Sequence, residues 1–177
     1  METPSKLRVL IVDDSAAMRS LIKTILQSHF STSRIYEAGD ATQAFETFQK
    51  AEVDLILTDI MMEPRDGLAL VHDVRSLDDP VRRQVPIIAV TGYSTRALVE
   101  TLRDMGVHEV LTKPVTIRAL SDRIRSVFER PRTFVEGSDF YGPDRRRRSD
   151  VARTAPERRG SLFLDDEIEG EGDDTAA

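Results

Sequence analysis

The chain has 177 residues, 40% of them hydrophobic, a formal net charge of −6 and no cysteine. That length suits one domain with a tail, or two small domains. No 18-residue apolar run suggests a membrane span, no disulfide or thiolate chemistry is open to it, and its acidic balance argues against a general nucleic-acid binder.

In chain order, the amino terminus METPSKLRVLIVDD passes directly into a strand-like run, without a separate apolar region and cleavage site. No signal peptide is expected, and a cytoplasmic location is the natural expectation. LRVLIV (7–12) is the first of five short apolar runs. Behind it Met18, Leu21, Ile22, Ile25 and Leu26 recur at helical spacing, with Ser15 as N-cap. RIY (34–36) precedes a helix marked by Ala41, Ala44, Phe45 and Phe48, opened by an Asp40–Gln43 capping box. DLILT (54–58) precedes Leu70, Val71, Val74 and Leu77. PIIAV (86–90) precedes Ala97, Leu98, Thr101, Leu102 and Met105, a helix that Gly106 closes. EVL (109–111) precedes Leu120, Ile124, Val127 and Phe128, with Thr116 as cap. His29, His72 and His108 are expected in cap or surface roles, since none pairs with another at ligand spacing.

Strand and helix in alternation predict parallel pairing through right-handed crossovers. Strands apolar throughout predict a sheet covered on both faces. The expectation is an α/β, doubly wound five-stranded parallel sheet in the flavodoxin-like order 2-1-3-4-5, occupying residues 1–129. Residues 130–177 change character, with Pro131, Pro143, Pro156, the block Arg145–Arg148 and an acidic run from Asp165 to Asp174. They are expected to be a charged, largely disordered tail. Its aromatic residues beside charge blocks make a docking segment one reading and a solubilising tail the other.

Sites in such sheets form beyond the carboxyl ends of the strands, at the switch point. There the sequence places Asp13 and Asp14 after the first run, Asp59 after the third, Thr91 and Gly92 after the fourth, and Thr112, Lys113 and Pro114 after the fifth. Three carboxylates in one crevice repel one another, and a hard divalent cation such as Mg²⁺ resolves the conflict with oxygen ligands. Lys113 adds an ammonium, Thr91 a hydroxyl donor, and Gly92 room for a tetrahedral group. Together they are what an aspartyl phosphate requires, with Asp59 as nucleophile.

The pieces "VDDS", "LTDIMM…DG", "VTGY" and "LTKP", in that order, resemble the receiver domain of two-component response regulators, of the stand-alone chemotaxis type. The resemblance covers residues 6–129. It implies that Asp59 is the phosphoacceptor, that Asp13, Asp14, Asp59 and the Met61 backbone carbonyl hold Mg²⁺, and that Thr91, Gly92 and Lys113 bind phosphate and switch. It also implies a cis Lys113–Pro114 bond, which proline permits. The implied partners are a histidine kinase or histidine phosphotransfer protein and a downstream protein target, with neither nucleic acid nor membrane. Receivers of this kind are phosphoacceptors rather than enzymes, with at most slow self-dephosphorylation. Two departures touch output rather than chemistry. Val110 stands where the family often has an aromatic switch residue, and Pro64 follows "MME" rather than "MM". A small rearrangement carried mainly by the fourth helix is therefore expected.

Three other readings compete. A haloacid-dehalogenase-like phosphohydrolase wants a second Asp where Met61 stands. A flavodoxin-like FMN carrier wants a phosphate loop where "VDDSAAM" is anionic. A phosphorylation-independent pseudo-receiver, acting as a protein-binding module, would ordinarily have lost one of the acids or the lysine.

Overall fold

The computed structural model describes residues 6–130, 133–137 and 140–143. Five strands, β1 (Leu7–Val12), β2 (Thr32–Ala38), β3 (Leu55–Asp59), β4 (Ile87–Thr91) and β5 (Glu109–Thr112), alternate with helices α1 (Ala16–His29), α2 (Ala41–Lys50), α3 (Gly67–Arg75), α4 (Arg96–Asp104) and α5 (Ile117–Glu129). A short 3-10 turn, Arg82–Gln84, precedes β4. The five strands form one parallel sheet in the order β2-β1-β3-β4-β5, as the sequence predicts.

The period of two within each strand divides the core between two faces. Val9, Ile11, Leu55, Leu57, Ile88, Val90 and Leu111 point into one cluster with Ile22 and Leu26 of α1 and Leu120 and Ile124 of α5. Leu10, Val12, Ile56, Ile87 and Ala89 point into the other, with Phe48 of α2, Leu70 and Val74 of α3 and Leu102 of α4. A sheet buried on both faces needs strands without polar alternation, which is the pattern seen.

The predicted caps are present. Ser15 accepts from Met18 N–H, Asp40 from Thr42 and Gln43 N–H, and Thr116 from Ala119 N–H. The reciprocal arm of the capping box reaches one residue further out, since the Gln43 side chain accepts from Gly39 N–H at 3.2 Å. Gly106 has φ 93°, a left-handed conformation that favours glycine just past a helix end. Asp66 and Thr95 cap α3 and α4 in the same way. The Glu63–Pro64 and Lys113–Pro114 bonds are both cis.

One expectation is corrected. His108 is not on the surface: it is 8% exposed, and its Nδ1 accepts from the Ile87 N–H at 3.2 Å, which closes the mouth between β4 and β5. Within the region expected to be a largely disordered tail, two short strands pair antiparallel, β6 (Phe134–Gly137) and β7 (Phe140–Pro143). The alternation is too short to read in sequence; tertiary packing supplies the order. The Phe134 ring lies 5.3 Å from the His108 ring, the Arg75 guanidinium lies 5.4 Å from the Phe134 centroid, and β7 packs against α4. The rest of the expected tail, 131–132, 138–139 and 144–177, lies outside the described residues, and with it the Arg145–Arg148 block and the acidic run.

Candidate functional site

The carboxyl ends of β1, β3, β4 and β5 are brought level by the register, in which Asp59 pairs with Val90 and Thr91 with Thr112. Asp13 follows β1 directly and is 1% exposed, Asp59 ends β3 at 5%, and Asp14 is exposed to solvent. The three carboxylates each offer an oxygen within 4.8 Å of the others. The sequence-predicted acids therefore converge.

Lys113 crosses to them from the end of β5. Its Nζ donates to Asp59 Oδ2 at 2.6 Å and to Asp13 Oδ2 at 2.9 Å. Burial by itself would lower the pKa of this ammonium, but its hydrogen bonds to Asp59 and Asp13 and the charges of those acids outweigh it, so the pKa is raised. The Lys113 backbone N–H donates to the Thr91 carbonyl at 2.8 Å, which ties the two strand ends together.

The remaining oxygens are partly used. Asp13 Oδ1 accepts from Ser15 N–H at 2.9 Å, and Asp59 Oδ1 from Met61 N–H at 3.1 Å. The Met61 side chain is 68% exposed at the rim, so what this residue offers the crevice is its backbone. The donor set is all oxygen, anionic and closely spaced, which fits a hard cation and not a soft one.

Thr91 is fully buried, and its hydroxyl faces the loop after β4 rather than an acid. It donates to the Tyr93 carbonyl at 2.9 Å and accepts from Tyr93 N–H at 3.2 Å. A methyl placed on Gly92 would meet nothing within 4 Å, so the space beside that backbone is open. Val110 is half-buried against the α2–α3–α4 face of the core.

Gly67 is a residue that sequence reasoning did not assign. A Cβ there would fall on the Asp59 carbonyl oxygen and lie 3.0 Å from the Asp59 carbonyl carbon and 3.1 Å from Ile60 Cα. Its N–H donates to the Ile60 carbonyl at 3.1 Å. The start of α3 is thus seated against the strand end that carries Asp59, and only glycine permits that approach. Asp66-Gly67, a capping acid with a glycine eight residues beyond Asp59, was the available signal.

A family model described as "Response regulator receiver domain" matches residues 9–125. The chain belongs to the response regulator receiver family. It is similar to the chemotaxis protein CheY of Pseudomonas aeruginosa, 32% identical over 70% of this chain and 98% of that protein. Among solved structures it resembles the CheY-like receiver domain protein of Methanospirillum hungatei (26% identity, TM-score 0.61, 70% of this chain and 94% of that one). It also resembles CheY4 of Vibrio cholerae (26% identity, TM-score 0.62, 69% and 98%). Receiver domains of this kind are signalling proteins of two-component systems, and no helix among the described residues is long and apolar enough to cross a membrane.

Proposed function

We propose that this receiver accepts a phosphoryl group on Asp59 from a histidine kinase or histidine phosphotransfer protein and signals through protein contacts. The observation that carries the reading is the Lys113 ammonium held between Asp59 and Asp13, at 2.6 and 2.9 Å, inside a cluster of three carboxylates. An acid kept only for structure would gain from one partner; a cluster with surplus negative charge is suited to receive cations and phosphoryl oxygens. Mg²⁺ is the assigned cation, with Asp13, Asp14, Asp59 and the Met61 carbonyl as ligands. When bound it supplies positive charge against the oxygens of the transferring group.

In the transfer the P–N bond of the donor phosphohistidine breaks as a P–O bond to an Asp59 oxygen forms, and the bonding pair returns to the imidazole. Lys113 is placed to donate to a phosphoryl oxygen, and the open space beside Gly92 admits the group. The Thr91 hydroxyl exchanges its Tyr93 carbonyl acceptor for a phosphoryl oxygen. That exchange frees the loop running to Thr95, the cap of α4, and so shifts the balance between two arrangements of that helix. Val110 offers no large ring to follow it, which keeps the rearrangement small and centred on α4.

The test is incubation with acetyl phosphate and Mg²⁺. A single phosphoryl mass increment is expected on the wild-type chain and none on Asp59→Asn. An increment that persists in the variant at the normal rate moves the acceptor elsewhere. No increment on a well-folded wild-type chain, from acetyl phosphate or a kinase, favours a pseudo-receiver instead.

A further inference from the structure

The first turn of α1 contains a cation and no acid. The positive end of the helix dipole disfavours that choice, so Arg19 needs another reason to be there. Long helical side chains lean back over the preceding turn, and Arg19 reaches past Ser15 to the loop that carries the acidic pair. Its Nη1 donates to the Asp13 carbonyl at 2.7 Å and to the Asp14 carbonyl at 3.4 Å. Those carbonyls belong to the two peptide units on either side of the Asp14 Cα. One guanidinium therefore spans both torsions that aim the Asp14 side chain.

Asp13 and Asp59 have direct restraints from Ser15, Met61 and Lys113. Asp14 is exposed, and no hydrogen bond to its carboxylate is found among the described residues. Its place in the cluster is set through its backbone. Arg19 is itself steadied from the sheet edge: its Nε lies 3.8 Å from Glu37 of β2, and Glu37 accepts from Lys23 Nζ at 2.6 Å. That Nε is buried and has no hydrogen-bond partner, so Glu37 acts on it as a nearby charge.

We infer that Arg19 is a positioning residue for the cation site, bridging the Asp13 and Asp14 carbonyls so that the Asp14 carboxylate stays beside the other two, with Glu37 as its strut. The inference rests on the reading that these acids bind Mg²⁺. Charge and positioning make opposite forecasts. If Arg19 mattered only as a positive charge near the crevice, its removal would tighten binding of a cation. If it positions, removal weakens binding, as loss of groups behind metal ligands does by about 10–100-fold.

The experiment is calorimetric titration of the full chain with Mg²⁺ at fixed ionic strength, alongside thermal melts in chelator. Arg19→Ala is expected to weaken Mg²⁺ binding about tenfold while the metal-free melting temperature barely moves. Arg19→Lys, which keeps the charge but has a shorter side chain without the planar guanidinium, should recover only part of the loss. Glu37→Gln, which leaves the site itself untouched, should weaken binding in the same direction and less. Unchanged or tighter binding in Arg19→Ala overturns the inference, as does full recovery by lysine. A wild-type chain that binds no Mg²⁺ overturns the metal reading beneath it, and the inference falls with that reading.

Discussion

Two buried charged clusters lie at opposite ends of the sheet, and they are built on different principles. At the amino ends of β4 and β5, Arg75 is 7% exposed. It donates to the Gly106 carbonyl through Nε and Nη2 at 3.1 and 2.9 Å, to the Arg83 carbonyl at 2.7 Å and to the Val85 carbonyl at 3.0 Å. His108 Nδ1 stands 3.5 Å from the same guanidinium. Here a cation satisfies backbone carbonyls that would otherwise be buried alone, and in doing so it joins the ends of α3 and α4 to the turn before β4. At the carboxyl ends, three carboxylates share one ammonium. The first cluster is complete as built; the second keeps capacity for more positive charge. A buried charge is thus evidence of function when its partners fail to balance it, and of architecture when they do.

The comparison breaks most visibly at Arg75. Arg75→Ala leaves several buried carbonyls without a donor, each costing about 1–3 kcal/mol, so urea denaturation should show a loss of about 4 kcal/mol. Phosphorylation per folded molecule should be unaffected, since nothing at the carboxyl ends is touched. Equal stability to wild type would refute the structural assignment of this cluster.

Gly67→Ala tests the opposite end where architecture and site meet. The new methyl collides with the Asp59 backbone, and overpacking of this kind costs about 1–3 kcal/mol. The same denaturation series should show that loss, together with slower acetyl phosphate labelling, because the collision displaces the acceptor residue. A variant both stable and fully active would mean that α3 shifts away freely.

Phe134→Ala should cost about 1–2 kcal/mol, the scale of a partly shielded cation–π contact with Arg75. Amide exchange should quicken in β6 and β7 and leave the five-stranded sheet unchanged. Protection of the hairpin at wild-type levels would place its anchorage elsewhere.

The smallest stability effects belong to the carboxyl-end site. Gly92→Ala adds a methyl to open space and should change stability by less than about 0.5 kcal/mol, yet slow phosphorylation by filling room the phosphoryl group needs. Asp59→Asn should likewise be neutral or slightly stabilising in metal-free protein. It removes one of the crowded acids and leaves Lys113 paired with Asp13. A loss of more than about 1 kcal/mol in either variant would make that residue structural.

Much of this protein is legible in its sequence because the relevant physics is local or periodic. Apolar strand runs, helical spacing and the caps at Ser15, Asp40 and Thr116 each follow from a few neighbouring residues, and alternation of strand and helix restricts the topology. Asp13, Asp14, Asp59, Thr91 and Lys113 could be singled out because strand ends in such a sheet must meet. Gly67, Arg19, Arg75 and His108 could not be assigned in this way. Arg75 does stand four residues after Val71, on the core face of α3, but helical spacing alone does not say that carbonyls from two other loops will converge on it. The hairpin is the clearest case: a four-residue strand has no stability of its own, and Phe134 at its start packs on a histidine and an arginine that stand 26 and 59 positions earlier in the chain. Sequence by itself determined which elements form and which side chains reach the crevice, since those depend on short-range periodicity and chain connectivity. Tertiary structure alone decided which buried charges are balanced, because that depends on backbone carbonyls and glycine-sized gaps brought together from distant segments.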